Sequence, residues 1–151
     1  MAQWKDFLVE IGKIEAKYGS SLRNPASEIE IEKMDHNIQQ KWGNISLPKS
    51  YIELLKKVNG LDFNGLVIYG VDKNLLDKKV EEDIHGFIET NELWHENEWQ
   101  KKYTFFGDSD RYCFAEKECV YVELDKPSGT LIQSFESFGA MLSDAFETII
   151  S

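Results

Sequence analysis

The segment from residue 103 to residue 134 most constrains the fold, because four short β-type runs follow one another closely there. The runs are residues 103–106, 111–115, 119–124 and 131–134. The segments between them contain the Gly, Asp, Ser, Pro and charged residues typical of tight turns. Strands separated by so few residues pair as hairpins, so this part of the chain predicts an antiparallel meander.

The chain before this meander shows the helical period instead. Apolar residues at offsets of three and four predict a first helix from Trp4 to about Gly19 and a second helix after it. Ser27 and Glu30 fit a capping box at the start of the second helix. A third helix is expected to begin at Pro48 and to end at Asn59-Gly60, where glycine supplies a left-handed residue.

One buried strand and two further helices complete the predicted elements. Leu66–Tyr69 is β-rich and lies between two glycines, which is typical of a short buried strand. A fourth helix is expected over residues 81–96, with Glu81–Asp83 in its first turn, where the helix dipole favours negative charge. The last helix is expected over Phe135–Ile150, and its buried stripe comprises Phe135, Phe138, Leu142, Phe146 and Ile149.

This order of elements predicts an α+β fold rather than alternating βαβ units. A central antiparallel sheet would be flanked by N-terminal, middle and C-terminal helices. The 151 residues correspond to a single domain, residues 1–151, because domains contain about 100–200 residues. With 42% hydrophobic and 13% aromatic residues, the chain can fill a core, which excludes intrinsic disorder.

The charge balance restricts the partners. Asp and Glu number 27 against 17 Lys and Arg, and the net charge is −10. Phosphates are bound by clustered Lys and Arg, so neither nucleic acid nor an anionic membrane is an expected partner. The composition favours a cationic partner. No apolar run is long enough for a signal peptide or a membrane span, so a cytoplasmic protein with reduced Cys113 and Cys119 is expected.

Few residues point to catalysis or to a cofactor. The chain has no glycine-rich phosphate loop, no GxSxG motif and no HExxH motif, so no cofactor is expected. His95 lies close to three glutamates in the sequence, but an exposed polar histidine explains this segment better than a metal site. Asp108 and Asp110 could be paired catalytic carboxylates, although stabilisation of a turn is the simpler interpretation. Trp99 is either a core residue or an exposed contact.

Acidic residues also accompany the predicted hairpins. The candidate partner-binding residues are Asp108, Asp110, Glu116, Glu118, Glu123 and Asp125. Turns between adjacent strands bring distant residues together, so several of these side chains are expected at one rim of the sheet. A solvated surface that keeps the protein soluble explains the same acidity, and charge alone does not separate the two interpretations.

Several ordered segments resemble the SUKH superfamily, which includes Smi/Knr-type regulators of cell-wall assembly. Leu47-Pro48 opens a helix, Asn59-Gly60 follows it, and Ile68-Tyr69-Gly70 ends a short strand. Residues 103–115 resemble the glycine-aspartate hairpin of that family, and residues 134–146 resemble its final helix. The resemblance covers about residues 28–150 and departs from the usual pattern at Trp94–Lys102, where the sequence leaves the local structure open.

This resemblance implies an α+β fold and a non-catalytic immunity protein that binds and neutralises a cognate polymorphic toxin. The expected partner is the basic nuclease domain of an LXG-type toxin, blocked by stoichiometric occlusion. The resembling motifs carry over as fold determinants and identify no contact residue. A scaffold or regulatory binding module of the Smi/Knr type is the alternative, and a small hydrolase that uses Asp108 and Asp110 is a second one. The sequence does not predict the oligomeric state.

Overall fold

The computed structural model describes residues 3–80 and 84–150. One antiparallel sheet contains six strands in the order β1-β2-β3-β4-β5-β6. The strands are β1 Leu61–Phe63, β2 Leu66–Ile68, β3 Thr104–Asp108, β4 Tyr112–Lys117, β5 Val120–Asp125 and β6 Leu131–Phe135. The helices are α1 Trp4–Lys17, α2 Glu28–Lys41, α3 Lys49–Leu55, α4 Phe87–Trp94 and α5 Phe138–Ile150. Short 3₁₀ turns occupy Lys73–Leu75 and Glu98–Gln100.

The predicted α+β class and the antiparallel meander are both confirmed. The strand that sequence reasoning missed is β1, which pairs with β2 through the Asn64-Gly65 turn. Both turn residues have positive φ, 50° and 86°, as a two-residue hairpin of type I′ requires. The capping box at the start of α2 is confirmed, because Ser27 and Glu30 bind each other's backbone N–H at 3.1 and 2.8 Å.

The third helix is shorter than predicted, since it ends at Leu55 and not at Asn59-Gly60. Asn59 instead holds the chain after β2, because its Oδ1 accepts a hydrogen bond from the Val71 N–H at 2.7 Å. Gly60 has φ +81°, and a Cβ there would lie 2.9 Å from the Ile68 carbonyl oxygen. Asn59 and Gly60 therefore bring the backbone that follows α3 into close contact with the end of β2.

Two other predicted helix starts are wrong. The fourth helix begins at Phe87, and the predicted first turn at Glu81–Asp83 lies outside the described residues. Its N–H groups at Ile88 and Glu89 donate to the Asp72 carboxylate, both at 2.9 Å. Burial raises the pKa of Asp72, against the opposing effect of these hydrogen bonds.

The last helix begins at Phe138, because Phe135 belongs to β6 and pairs with Tyr121. Ser137 Oγ then accepts a hydrogen bond from the Ala140 N–H at 3.1 Å, which caps the new helix. The other four residues of the predicted stripe lie in α5 and are buried or half-buried.

The sheet is packed on both faces. On one face α5 contacts β5 and β6, and α1 and α3 pack against α5. An aromatic cluster of Tyr51, Phe106 and Phe138 forms the centre of this side, with ring centroids 5.1–5.4 Å apart. We call this side of the sheet the α5 face. No helix in residues 3–80 or 84–150 is long and apolar enough to cross a membrane.

The helix α4 lies beside the first half of β3, where β2 does not reach. The Asn91 side chain accepts from the Phe105 N–H at 2.8 Å and donates to the Phe105 carbonyl at 2.9 Å, as a neighbouring strand would. Trp94 stacks on Phe105 with centroids 4.4 Å apart. Leu93, one residue before Trp94 in the same helix, is 59% exposed.

The polar stretch Trp94–Lys102 is part of the packed structure. His95 Nε2 lies 2.7 Å from the Tyr103 carbonyl oxygen. Trp99 is half-buried beside Gly129, where a Cβ would come within 2.8 Å of its ring. Trp99 is therefore a packing residue, and its indole holds the β5–β6 turn.

Candidate protein-binding surface

Three hairpin turns lie at the same end of the sheet, namely β1–β2, β3–β4 and β5–β6. This follows from the antiparallel register, in which turns between successive strands alternate between the two ends. Four aspartates lie at or next to this end: Asp62, Asp108, Asp110 and Asp125. We call these four residues the aspartate rim.

Asp108 is the fixed member of the aspartate rim. Its Oδ2 accepts a hydrogen bond from the Tyr69 hydroxyl, and its Oδ1 accepts one from Lys126 Nζ at 3.1 Å. The Trp94 indole N–H donates to the same Tyr69 hydroxyl at 2.9 Å. The Asp108 side chain is 20% exposed. Asp108 therefore anchors the β3–β4 turn to α4 and to the β5–β6 turn.

Two neighbours of Asp108, Tyr69 and Cys113, have raised pKa values. Burial, and then the Asp108 carboxylate, raise the pKa of the Tyr69 hydroxyl well above its usual range. The same two causes raise the pKa of the Cys113 thiol to about 12. Both groups remain protonated at neutral pH, so the Tyr69 hydroxyl stays a hydrogen-bond donor to Asp108.

The other three rim aspartates face outward. Asp110 is exposed in the β3–β4 turn, and a Cβ on Gly65 would lie 3.8 Å from its Oδ2. Asp125 accepts hydrogen bonds from Ser128 Oγ at 2.6 Å and from the Ser128 N–H at 3.1 Å, which lower its pKa. Asp62 is exposed on β1 and shares a row of the sheet with Asp108. The rim therefore presents the carboxyl groups of these three residues to solvent.

The other predicted contact residues lie elsewhere, so the six do not share one rim. Glu118 is exposed in the β4–β5 turn at the opposite end, and Glu116 is half-buried next to it. Burial raises the pKa of Glu116. Glu123 is only 8% exposed and accepts a hydrogen bond from Gln133 Nε2 at 2.8 Å on the α5 face. Binding of a partner by these six residues stays a prediction.

The alternative chemical roles receive no support from the geometry. Asp108 is occupied by Tyr69 and Lys126 while Asp110 points to solvent, so these two carboxylates do not converge on a shared cleft. His95 packs edge-on against Trp42 with centroids 5.7 Å apart. Within the described part of the chain, no group of three or more His, Cys, Asp or Glu residues could hold a metal ion.

Sequence reasoning missed the residues that organise this surface. Asp62 was missed because the three-residue strand that carries it was not predicted. The sequence pattern places Lys126 in a turn and Tyr69 in a strand, and it predicts no further role for either. In the structure both side chains donate hydrogen bonds to Asp108. Tyr69 belongs to the Ile68-Tyr69-Gly70 segment and Asp108 to the glycine-aspartate hairpin, so two motifs that resemble the SUKH superfamily meet at one hydrogen bond.

Comparison with known proteins gives the family. The model of the SMI1 / KNR4 family (SUKH-1) matches residues 25–144, which include the whole sheet and helices α2, α3 and α4. The comparisons with curated proteins and with solved structures found no match. The family match covers well over half of the chain and agrees with the α+β architecture. This chain therefore belongs to the SMI1/KNR4 family (SUKH-1).

Proposed function

We propose that this protein is an immunity protein that binds a cognate polymorphic toxin and neutralises it by stoichiometric occlusion. Membership in the SMI1/KNR4 family supports an immunity role in general, with a protein as the partner. Proteins of this family are typically non-catalytic. The proposed toxin is of the LXG type with a nuclease domain, and the proposed place of action is the cytoplasm.

The aspartate rim is the main structural observation that supports this proposal. Its outward carboxylates, on Asp62, Asp110 and Asp125, lie on three different hairpins but at one end of a rigid sheet. Adjacent strands are about 4.8 Å apart. Asp62 on β1 and Asp108 on β3 are two strands apart in the same row, so their backbones are separated by roughly 10 Å. A nucleic acid likewise presents a row of negative charges, one phosphate about every 3.4 Å of helix axis on each strand. A basic groove that binds phosphates would accept such a surface.

Electrostatics gives the rim a kinetic role as well. A net charge of −10 attracts a basic domain over long distances, and the rim then provides the local complement. Charge complementarity of this kind raises association rates from about 10⁵–10⁶ to as much as 10⁸–10⁹ M⁻¹s⁻¹ at low salt. Salt screens the attraction over a Debye length of about 10 Å at 0.1 M. The proposed complex should therefore form more slowly as salt increases.

Two experiments test the proposed function. Purified protein is titrated against the nuclease domain of the cognate toxin, and cleavage should stop near one protein per toxin. In cells, co-expression with the adjacent toxin gene should restore growth and allow the two proteins to be purified together. Cleavage that continues at excess protein would contradict the immunity role and favour the regulatory binding module.

A further inference from the structure

The outer strand β6 differs from the other outer strand in length, exposure and charge. Leu131–Ser134 are exposed, and no residue of β6 is ionisable. At the other edge, β1 has three residues and carries the charged Asp62, and Asn64 beside it donates to the Ile149 carbonyl at 3.1 Å. Outer strands are usually protected by charge or by proline, because their free N–H and C=O groups pair with other strands. The edge of β6 lacks that protection.

A cavity of about 710 Å³ lies next to the end of β6. Phe135 of β6 and Trp4 of α1 line it, and the small residues of α5 leave the space open. Those small residues are Gly139, Ala140 and Ser143.

The charged residues that line this cavity are mainly acidic. Glu53, Asp144 and Glu147 line it together with one cation, Lys5, which is paired with Glu53 at 2.7 Å. Asp144 also reaches β6, because Gln133 Nε2 donates to it at 3.1 Å. The cavity therefore combines the aromatic rings of Phe135 and Trp4 with an excess of carboxylates beside an unprotected strand edge.

We propose that β6 and this cavity together bind an extended segment of the partner protein that carries Lys or Arg between apolar residues. The inference rests on the proposed function, since the partner is the toxin. A segment that adds to β6 as a seventh strand gains backbone hydrogen bonds, and its alternate side chains point towards α5. A basic side chain on that face meets Asp144 and Glu147, while its apolar neighbours point to the opposite face of the sheet, where Leu131 is exposed.

A second copy of this chain fits the same edge less well. Its β6 brings no Lys or Arg to the cavity. Pairing two β6 edges would also bring two acidic cavities and two net charges of −10 together. The complementary occupant is therefore a basic segment of another protein.

The test uses two synthetic heptapeptides, Val-Lys-Val-Lys-Val-Lys-Val and Val-Glu-Val-Glu-Val-Glu-Val, titrated into the isotopically labelled full chain. The lysine peptide is expected to shift the backbone amide resonances of residues 131–135 and to slow their hydrogen exchange. Combining Asp144→Asn with Glu147→Gln should weaken its binding about tenfold. The matched variant Glu10→Gln with Glu96→Gln, which removes the same charge elsewhere, should not. Equal binding of both peptides, or no effect at residues 131–135, would overturn the inference.

The toxin complex separates this inference from the proposed function. Slowed exchange of the β6 amides in the complex supports the inference. A complex that forms without protecting the β6 amides overturns the inference and leaves the proposed function intact. If no complex forms, the proposed function is contradicted, and the peptide titration decides the inference. Sedimentation of the protein alone measures its oligomeric state. A dimer with protected β6 amides would show that a second copy of the chain binds this edge, and it would overturn the inference.

Discussion

Removing the Tyr69 hydroxyl is expected to destabilise the protein by about 2–3 kcal/mol. The hydroxyl donates to the Asp108 carboxylate and accepts from the Trp94 indole at 2.9 Å. A hydrogen bond to a charged group contributes about 1.5–3 kcal/mol, and a buried donor left without an acceptor costs about 1–3 kcal/mol. The two effects do not add fully, because the Asp108 side chain is 20% exposed and keeps Lys126 as a partner.

Urea unfolding of the Tyr69→Phe variant, followed by far-UV circular dichroism, measures this loss. A change of this size also lowers the melting temperature by about 4–12 °C in a protein of this length. Tyr112→Phe is the matched control, since Tyr112 is half-buried in the same sheet, and it should cost less than about 0.5 kcal/mol. A Tyr69→Phe variant as stable as the wild type, or equal losses in the two variants, would refute the anchoring role of Asp108.

Three further predictions concern α4 and the thiols. Gly86→Ala should destabilise the fold by about 2–3 kcal/mol in urea unfolding, because the added Cβ would lie 2.2 Å from Asp72 Oδ2 and 3.0 Å from its Cα. Burial raises the folded-state pKa of Asp72, so its contribution to stability is greatest below the unfolded pKa of about 3.9 and falls as pH rises through the folded value. The free energy of unfolding of the wild type minus that of Asp72→Asn should therefore decrease from pH 4 to pH 6, and an increase would contradict this sign. With a disulfide-exchange reagent at pH 8, the native protein should react at the exposed Cys119 and not at the buried Cys113, while the unfolded protein should react at both.

Local signals in the sequence predicted most of the fold. The alternation of Val120, Val122 and Leu124 predicted a strand. Ser27 and Glu30 predicted the start of α2, because both capping residues lie in the first turn of that same helix. The start of α4 carries no such local signal, because its capping carboxylate belongs to Asp72, far back in the sequence. Three residues of β1 are too few to show a period of two, although the Asn64-Gly65 pair is a recognisable hairpin turn.

The candidate surface was predictable only in part. Turn composition correctly places Asp110 in the β3–β4 turn, and Asp125 ends β5 next to the β5–β6 turn. Successive turns of a meander alternate between the two ends of the sheet, which separates Glu118 from both residues. Glu123 shares its face with Tyr121, so it points under α5 and not to solvent. The role of Tyr69 depends on a contact across 39 positions of sequence, which no local pattern reveals.

The central claim is that the aspartate rim receives the basic toxin. The most direct measurement compares stopped-flow association rates with the cognate nuclease domain for two triple variants of equal charge. Neutralising the rim, with Asp62→Asn, Asp110→Asn and Asp125→Asn, should lower the association rate about tenfold at low salt and flatten its salt dependence. Neutralising three exposed helix-side glutamates, with Glu10→Gln, Glu32→Gln and Glu96→Gln, should change it much less. Equal effects of the two variants would show that only the overall charge matters and would contradict the rim as the docking surface.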